Sequence, residues 1–375
     1  MVSPHFNRLT RRALLSTTLA AGAVVAVPSC MSVNALRPRF DAALSRDGQR
    51  MKGVPGFPTL AAALAAAPAN ASPYRIFIAP GIWREHVRIT RPNVQLIGES
   101  REKSILVFDV LANAPHAPDE PASTLVIEAP DCRARHLTIN NDFDYPHHMP
   151  ADVPHDRTGA SGAQARAVHL TANADRSVFE DVAMNGWQDT LFTDAGRAYF
   201  SRCYVSGAVD FIYGGGIVIF EHCEIHSRTR PGKDFHGFIV APSTNVHQRF
   251  GINFLDCRLT RDSDLPAHTV ALGRPWRRGV TRPDGKYGDP EAVAQSAFLR
   301  CWMDDHIVPE AWYPMHYNNQ AGERVMLQPE EVRFAEYASR GPGAGAESPR
   351  RRMLSAAQAA AYLPKTIFGD WRPAA

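Results

Sequence analysis

Short apolar runs separated by turn-forming residues dominate the first third of the chain. Residues 76–78, 87–89, 94–98 and 106–108 are such runs, and no helical periodicity lies between them. This pattern predicts strands joined by turns and disfavours alternating strands and helices. One helix is predicted over residues 59–67, with Leu60 and Leu64 on one face.

A six-residue pattern that begins with phenylalanine recurs along the chain. Its copies start at Phe179, Phe200, Phe220, Phe254 and Phe298. The spacings are 21, 20, 34 and 44 residues, so the later repeats contain inserted loops. A constant phase near 20 residues favours an all-β solenoid, a parallel β-helix with internal side-chain ladders, over a β-sandwich.

The last four copies each place a cysteine three residues after the phenylalanine. Cys203 and Cys223 therefore share a phase on adjacent coils, where their Cα atoms should lie about 5 Å apart. This predicts a Cys203–Cys223 disulfide. Cys257 and Cys301 share the phase and could form a second disulfide, and for both pairs the alternative is a ladder of buried free thiols.

Composition and charge narrow the function classes. The 375 residues, 45% of them hydrophobic, are enough for one large core or two ordinary domains. The formal charge is +3, and removal of residues 1–29, with Arg8, Arg11 and Arg12, would leave 38 basic and 38 acidic residues. This balance indicates no nucleic-acid-binding surface.

The N-terminal segment predicts export. Arg11 and Arg12 form a twin-arginine pattern, followed by an apolar stretch over residues 13–27 that is short for a bilayer span. The alternative is a disordered tail with a chance arginine pair. Cys30 ends a lipobox-like sequence and would be lipidated, although Pro28 is atypical and simple cleavage nearby is the alternative.

The predicted organisation has four parts. Residues 1–30 are the export signal, 31–52 a linker, 53–340 the catalytic β-helix and 341–375 a C-terminal tail of the same domain. In the tail, Ser355 and Gln358 have the spacing of a capping box, which predicts a short helix packed on the outside of the coil.

Two aspartates occupy the same phase of the repeat. Asp189 follows Phe179 by ten residues and Asp210 follows Phe200 by ten, so their carboxyl groups should stack on neighbouring coils. Two carboxyl groups so close should titrate separately, as an acid and a nucleophile or base require. Arg274 is a candidate ionic partner. On phase alone, two surface turn aspartates are an equal alternative.

The segments around these residues resemble the pectinesterase (pectin methylesterase) family. The resemblance is carried by GWQDTL at residues 186–191, GAVDFIYG at 207–214 and LGRPW at 272–276, in this order. It extends through most of the chain, from residues 57–67 to residues 369–373. Arg166 and Tyr213 depart from the family pattern, and Arg277 and Arg278 could bind free carboxylates or be surface charge.

The resemblance implies a right-handed parallel β-helix that hydrolyses pectin methyl esters through an aspartyl acyl-enzyme. Asp210 would be the nucleophile and Asp189 the general acid and base. Gln188 and Gln164 would stabilise the oxyanion, and Arg274 would anchor Asp210.

The substrate-binding residues implied by the resemblance are Arg274 and four aromatic or apolar side chains. Trp276 would stack on a sugar ring, or alternatively cap the core. Phe192, Tyr213 and Met303 would line the cleft near the ester, or belong to the core.

The expected partner is methylated pectin, bound by an exported monomer, lipid-anchored or free, that uses no cofactor and no metal. One rival interpretation is a β-helical polygalacturonase or pectate lyase, which would cleave the polymer chain, the lyase with calcium. Another is a catalytically silent carbohydrate-binding protein. Methanol release from methylated pectin distinguishes all three.

Overall fold

The computed structural model describes residues 40–112, 121–148 and 163–373. The predicted export signal and Cys30 lie outside these residues. The strands are β1 (Ala42–Leu44), β2 (Gly56–Phe57), β3 (Tyr74–Ile78), β4 (Gly81–Arg84), β5 (Val87–Ile89), β6 (Val94–Gly98), β7 (Ser104–Phe108), β8 (Ser123–Ile127), β9 (Arg133–Asn141), β10 (Arg166–Leu170), β11 (Ser177–Asn185), β12 (Leu191–Thr193), β13 (Arg197–Ser201), β14 (Tyr204–Gly207), β15 (Val209–Gly214), β16 (Ile217–Glu221), β17 (Glu224–Ser227), β18 (Gly237–Pro242), β19 (Ile252–Leu255), β20 (Arg258–Arg261), β21 (Val270–Gly273), β22 (Gly279–Arg282), β23 (Gly285–Gly288), β24 (Gln295–Leu299), β25 (Trp302–Met303), β26 (Met315–Asn318), β27 (Arg324–Leu327) and β28 (Arg333–Tyr337). The helices are α1 (Leu60–Ala65), α2 (Tyr145–His148), α3 (Ala356–Ala359) and α4 (Pro364–Ile367), with a 3-10 turn at Pro329–Glu331.

The strands wind into a parallel β-helix, as the repeat predicts. One face is a seven-stranded sheet in the order β21-β18-β15-β12-β10-β8-β5, and all its pairings over the described residues are parallel. The remaining coil strands form a second large sheet. Two antiparallel hairpins, β22–β23 and β26–β27, project from the coil. The seven-stranded sheet carries the residues with candidate chemistry.

The five repeated phenylalanines stack in the interior, which confirms the predicted ladder. Parallel pairing puts Phe179, Phe200, Phe220, Phe254 and Phe298 in register on successive coils. Neighbouring ring centroids are 4.9, 4.6, 4.9 and 4.2 Å apart, and each side chain has no exposed surface. Full burial of each ring contributes roughly 2 kcal/mol to stability. A shift of one coil relative to the next would take the rings out of this stack, so the repeated position fixes the coil register.

Each of these coils turns sharply two residues after its phenylalanine. Asp181, Arg202, His222, Asp256 and Arg300 all have φ between 53° and 55°, in the left-handed region. A single residue in this conformation redirects the chain, and aspartate and histidine tolerate it better than most residue types. The guanidinium of Arg300 pairs with Asp256 at 2.8 and 2.6 Å, which links the corners of two coils.

The cysteine ladder exists, but the predicted Cys203–Cys223 disulfide is wrong for this structure. Cys203, Cys223, Cys257 and Cys301 are buried free thiols. Parallel stacking orients them alike, and Sγ of Cys203 and of Cys223 each donate to a phenylalanine carbonyl of the preceding coil at 3.4 Å. These thiols therefore act as small buried groups whose weak donors are satisfied within the coil.

The β-helix begins earlier than predicted. Within the predicted linker, residues 42–44 form β1, which pairs in parallel with β2 and β3. Helix α1 follows and caps the coil, as predicted. Thr59 accepts a hydrogen bond from Ala62 N, and the Glu85 carboxylate accepts from Leu60 N and Ala61 N at 2.7 and 2.8 Å. A carboxylate on free N–H groups stabilises a helix start.

The C-terminal tail packs on the outside of the coil. Ser355 and Gln358 form the predicted capping box at the start of α3. Ala359, Ile367 and Phe368 are buried against outward-facing residues of the second sheet, such as Tyr199. Among the described residues, no helix combines the length and apolar character needed to cross a bilayer.

Candidate active site

A cleft of about 260 Å³ lies on the outer surface of the seven-stranded sheet. It brings together seven of the residues singled out from the sequence, which are Gln164, Gln188, Asp189, Asp210, Tyr213, Arg274 and Trp276. These residues are separated by up to 112 positions in the chain, from 164 to 276. The coil register alone places them side by side.

The two aspartates lie on adjacent coils, as their common phase predicts. Leu191 of β12 pairs with Ile212 of β15, and Gln188 forms a parallel bridge with Val209. The N–H of Asp189 donates to the Val209 carbonyl at 3.1 Å. Asp189 and Asp210 therefore occupy equivalent places on neighbouring strands.

Both aspartates have strained backbones. The φ of Asp189 is 64° and that of Asp210 is 47°, in the left-handed region. The register between β15 and β18 also shifts between Val209 and Ile212, so a bulge lies at Asp210. Bulges and left-handed residues redirect side chains and concentrate at functional sites. Here they turn both carboxyl groups toward the cleft.

Arg274 holds the Asp210 carboxylate with a two-pronged hydrogen bond. Its Nε donates to Oδ1 at 2.9 Å, and its terminal nitrogen donates to Oδ2 at 2.6 Å. The Phe238 ring lies 4.1 Å from the guanidinium carbon and supports its face. Gly273 lets this strand approach β18, because a Cβ there would lie 2.2 Å from the Val240 carbonyl oxygen. The fork fixes the orientation of the Asp210 carboxylate.

The carboxyl group of Asp189 has a strongly raised pKa. Burial, reinforced by the negative charge of Asp210, raises its pKa to about 8. Arg166, a hydrogen bond from Tyr213, and Arg274 act in the other direction but do not outweigh burial. Its side chain is partly open to the cleft, yet surrounding protein excludes most of the water from the carboxyl group. Asp189 is therefore protonated at neutral pH and can donate a proton.

Two glutamines line the same cleft. Gln188 precedes Asp189 and is buried, and its Oε1 has no hydrogen-bond partner within the described part of the chain. Gln164 is half-buried at the start of β10, where its carbonyl accepts from Ala112 N at 2.7 Å. Both glutamines therefore share the cleft lining with Asp189 and Asp210.

Aromatic side chains form one wall of the cleft. Phe192 stacks on Tyr213 with 4.4 Å between ring centroids, and Trp276 meets Tyr213 edge-on at 5.5 Å. Trp276 is half-exposed and open to a ligand, whereas Phe192 and Tyr213 are largely covered. Phe192 therefore supports the wall from behind Tyr213.

Met303 does not belong to this site. Its side chain is fully buried in the main hydrophobic core, so the prediction that it lines the cleft is wrong. It shares the inward-facing phase of the repeat, paired with Leu259. The cleft instead contains Met315, from the hairpin β26–β27, and Ala241 of β18. Sequence periodicity could not find Met315, because its hairpin is an insertion outside the repeat.

The arginines that follow the LGRPW segment already have partners. Arg278 pairs with Asp194, and Arg277 donates to the Ala292 carbonyl at 3.2 Å while covering the Tyr317 ring. This arrangement favours structural charge over free carboxylate-binding groups.

A larger polar cleft of about 710 Å³ lies beside the second sheet, near Trp187 and Arg228. Its polar side chains are already hydrogen-bonded to one another, as between Asn185 and Asn140 at 2.6 Å. The described residues that line it include no pair of carboxyl groups with one of them held by an arginine fork. The smaller cleft is therefore the candidate active site.

Comparison with known proteins gives a consistent family assignment. The pectinesterase family model matches residues 47–362. Pectinesterase A of Dickeya chrysanthemi is 38% identical over 326 residues, which cover 84% of this chain and 88% of that protein. Putative pectinesterase 11 of Arabidopsis thaliana is 31% identical, over 81% of this chain and 74% of that protein.

Solved structures agree with the sequence relatives. A pectin methylesterase in complex with a hexasaccharide matches with a TM-score of 0.82 and 37% identity, covering 90% of this chain and all of that chain. The pectin methylesterase of Yersinia enterocolitica matches with a TM-score of 0.77 and 38% identity, covering 84% of this chain and 99% of its own. The chain therefore belongs to the pectinesterase family and is a carboxylic ester hydrolase with the parallel β-helix fold of that family.

Proposed function

We propose that the protein hydrolyses the methyl esters of galacturonate units in homogalacturonan, through an acyl-enzyme formed on Asp210. The observation that carries this proposal is the pair of unlike carboxyl groups in one cleft. Asp210 is held by the Arg274 fork, and Asp189 beside it has a pKa of about 8. One group can attack while the other supplies a proton.

In the first half-reaction the Asp210 carboxylate attacks the carbonyl carbon of the ester. A tetrahedral intermediate forms, and the former carbonyl oxygen becomes negatively charged. When the intermediate collapses, the bond to the methoxy oxygen breaks and Asp189 donates its proton to that oxygen. Methanol leaves, Asp210 is joined to the galacturonyl group as an anhydride, and Asp189 becomes the carboxylate.

In the second half-reaction a water molecule attacks the same carbonyl carbon. Asp189 now accepts a proton from that water, and the bond to Asp210 breaks. The products are the galacturonic acid, which releases the second proton of the water to the solvent and becomes galacturonate, Asp210 as carboxylate and Asp189 protonated again. The raised pKa of Asp189 supports both of its roles, because a group that titrates near the working pH exchanges protons in either direction.

Gln188 and Gln164 are placed to stabilise the negative oxygen of the intermediate. Both line the cleft with the aspartates, and each amide can present two N–H donors. Donors fixed before the reaction stabilise developing charge without reorganisation.

The aromatic wall supports binding of a sugar ring. Trp276 is half-exposed at the cleft, where its indole can cover the apolar face of a galacturonate unit. The relative that was solved with a hexasaccharide supports an oligosaccharide ligand for this family member as well.

We propose that this activity acts on plant cell-wall pectin outside the cytoplasm. The Arg11–Arg12 pair and the apolar residues 13–27 support export, and Cys30 is a candidate lipid anchor. Replacing both arginines with lysine should retain the precursor in the cytoplasm. Unchanged export of that variant would contradict the proposed route.

The proposed function is tested by incubating the protein with highly methylated pectin. Methanol should be released while the length of the polymer stays constant. A fall in polymer length with new reducing or unsaturated ends, without methanol, would identify a chain-cleaving enzyme instead. Absence of both products, with binding of the polymer, would identify a carbohydrate-binding protein.

A further inference from the structure

Two inserted hairpins pack against each other beside the active-site cleft. Hairpin β26–β27 carries Met315, which lines the cleft, and hairpin β22–β23 lies next to it. Their exposed tips share a hydrogen bond from Gln320 to Asp284 at 2.6 Å. At the base of β22–β23, Gly288 is buried against the Tyr317 ring of β26. Because exposed hydrogen bonds open easily, the covered contact at Gly288 is the one that can fix the hairpin that carries Met315.

Met315 shares one face of β26 with Tyr317. Burial alternates along this strand: Met315 and Tyr317 are half-buried, whereas His316 and Asn318 are exposed. Side chains two positions apart on a strand point to the same side, so Met315 and Tyr317 both lie on the covered face of the hairpin. The contacts of Tyr317 therefore determine how this face, and Met315 with it, is held against the rest of the molecule.

Arg277 connects this face with the coil. Its guanidinium carbon lies 4.5 Å from the centre of the Tyr317 ring, and its Nε donates to the Ala292 carbonyl at 3.2 Å. Ala292 forms a backbone bridge with Asn245, in the segment that follows β18. A cation over an aromatic face is attracted by the ring, and the attraction is stronger where both groups are partly covered, as Arg277 and Tyr317 are.

The packing at Gly288 leaves no space for a side chain. A Cβ there would lie 2.7 Å from Cδ2 of Tyr317 and 3.1 Å from Cγ of Arg277. Its cross-strand partner Gly279 is exposed, and a Cβ there would lie 3.6 Å from Cε of Lys286, an ordinary contact. Neither glycine has a φ in the left-handed region. Close packing, rather than backbone conformation, therefore requires glycine at position 288.

We propose that Arg277, Tyr317 and Gly288 are positioning residues for the ester hydrolysis: their packing holds Met315 at the cleft, against the methyl group of the bound ester. The proposal rests on the proposed function. Met315 and Trp276 line the same cleft as the two aspartates, and a thioether and an indole offer apolar surface to a methyl group. The three positioning residues are not among those that line the cleft, so they act through Met315.

The proposal predicts weaker binding of methylated pectin with little change in the chemical step. An apolar contact with the methyl group is made equally before and during the reaction, so its loss raises KM and leaves kcat nearly unchanged. Gly288→Ala and Tyr317→Leu should each raise KM for highly methylated pectin about tenfold, the lower end for loss of one methylene contact in an apolar pocket. Gly279→Ala, the cross-strand control, should leave KM at the wild-type value.

Variants of Arg277 test the contact from its other side. Arg277→Gln should raise KM as Tyr317→Leu does, because the cation over the ring is lost. Arg277→Lys should recover part of the wild-type KM, since an ammonium group is also attracted to an aromatic face. Tyr317→Phe keeps the ring and should resemble the wild type. Arg282→Gln is the matched control, because this exposed arginine of β22 pairs with Asp289 at 3.3 Å.

A double variant tests whether the packing acts through Met315. Met315→Ala should itself raise KM, and adding Gly288→Ala should raise KM no further, because the side chain that Gly288 positions is already absent. The constants are measured from methanol release by the full-length protein, on highly methylated and on partly de-esterified pectin. Circular dichroism and thermal melting show which variants are folded.

Any of three results with folded variants would overturn the proposal and leave the esterase function intact. KM could stay at the wild-type value in Gly288→Ala and Tyr317→Leu. The effects of Gly288→Ala and Met315→Ala could multiply. Arg277→Gln could raise KM more for partly de-esterified than for highly methylated pectin, which would make Arg277 a direct binding group for free carboxylates. Absence of methanol release by the wild-type protein would instead contradict the proposed function.

Discussion

Asp210 and Arg274 form a forked ion pair across two strands, β15 and β21, that are not neighbours in the sheet. Strand β18 lies between them, and the bulge at Asp210 brings its carboxylate within 2.9 and 2.6 Å of the two guanidinium nitrogens. Both side chains are mostly covered, with 11% and 18% of their surface exposed. The two parallel hydrogen bonds fix the orientation of the Asp210 carboxylate, in addition to balancing its charge.

Arg274→Ala should therefore lower kcat by at least ~10²-fold, because the nucleophile loses both its charge partner and its orientation. Arg274→Lys should recover only part of the loss, since an ammonium group cannot supply two parallel donors. Methanol release at saturating pectin, with thermal melting as a check on folding, measures this. Full activity of Arg274→Lys would contradict an orienting role for the fork.

Asp189 should make the protein less stable as the pH rises. Its pKa is about 8 in the folded protein, against an ordinary value near 3.8 when unfolded. Between these values the folded state binds one proton more than the unfolded state, so this group's contribution to stability is complete at low pH and is lost with increasing pH. Asp189→Asn removes the titrating group, so the stability of this variant should not show that decrease with increasing pH.

The melting temperature of Asp189→Asn should accordingly exceed that of the wild type by roughly 3 °C at pH 8 and by much less near pH 4. The same variant should lose at least ~10²-fold in methanol release, because the leaving group is no longer protonated. A melting difference that does not depend on pH would show that the Asp189 carboxyl is ionised in the folded protein.

Gln188→Ala should reduce kcat by about 10²-fold, or about 3 kcal/mol, if its amide donates to the oxyanion. KM should change little, because the interaction strengthens only in the transition state. Gln320→Ala is a matched control, because this exposed glutamine contacts Asp284 and is not among the residues that line the cleft. An equal rise in KM with kcat unchanged would assign Gln188 to ground-state binding.

The cysteine ladder predicts a particular alkylation pattern. Cys132, Cys203, Cys223, Cys257 and Cys301 are buried free thiols, so they should resist alkylation in the folded protein. After unfolding without reductant, all five should react, as counted by mass spectrometry of the peptides. Protection of Cys203 and Cys223 from alkylation in the unfolded, unreduced chain would show that these two cysteines form a disulfide.

The repeat phase predicted the parts of the fold and of the site that depend on register. In a parallel coil, residues of equal phase stack, so the positions of the Phe179 ladder and of Asp189 beside Asp210 follow from counting residues. Equal phase likewise places Cys203 beside Cys223. It could not establish a bond between them, because phase fixes the backbone separation and not the direction or the hydrogen bonds of each thiol.

Features outside the repeat were not accessible in this way. Met315 reaches the cleft from the inserted hairpin β26–β27, and no periodicity relates it to the sheet. Met303 has the inward phase and belongs to the core, which is one of the two places that the sequence left open for it. The edge-on contact of Trp276 with Tyr213 depends on side-chain geometry, which residue counting does not supply.

The most direct test of the whole account is methanol release by Asp210→Asn. The substitution keeps the size of the side chain and removes the nucleophilic carboxylate. We expect a folded protein, with an unchanged circular dichroism spectrum, that releases no methanol above background from highly methylated pectin. Methanol release at the wild-type rate by the folded variant would contradict the aspartyl acyl-enzyme mechanism.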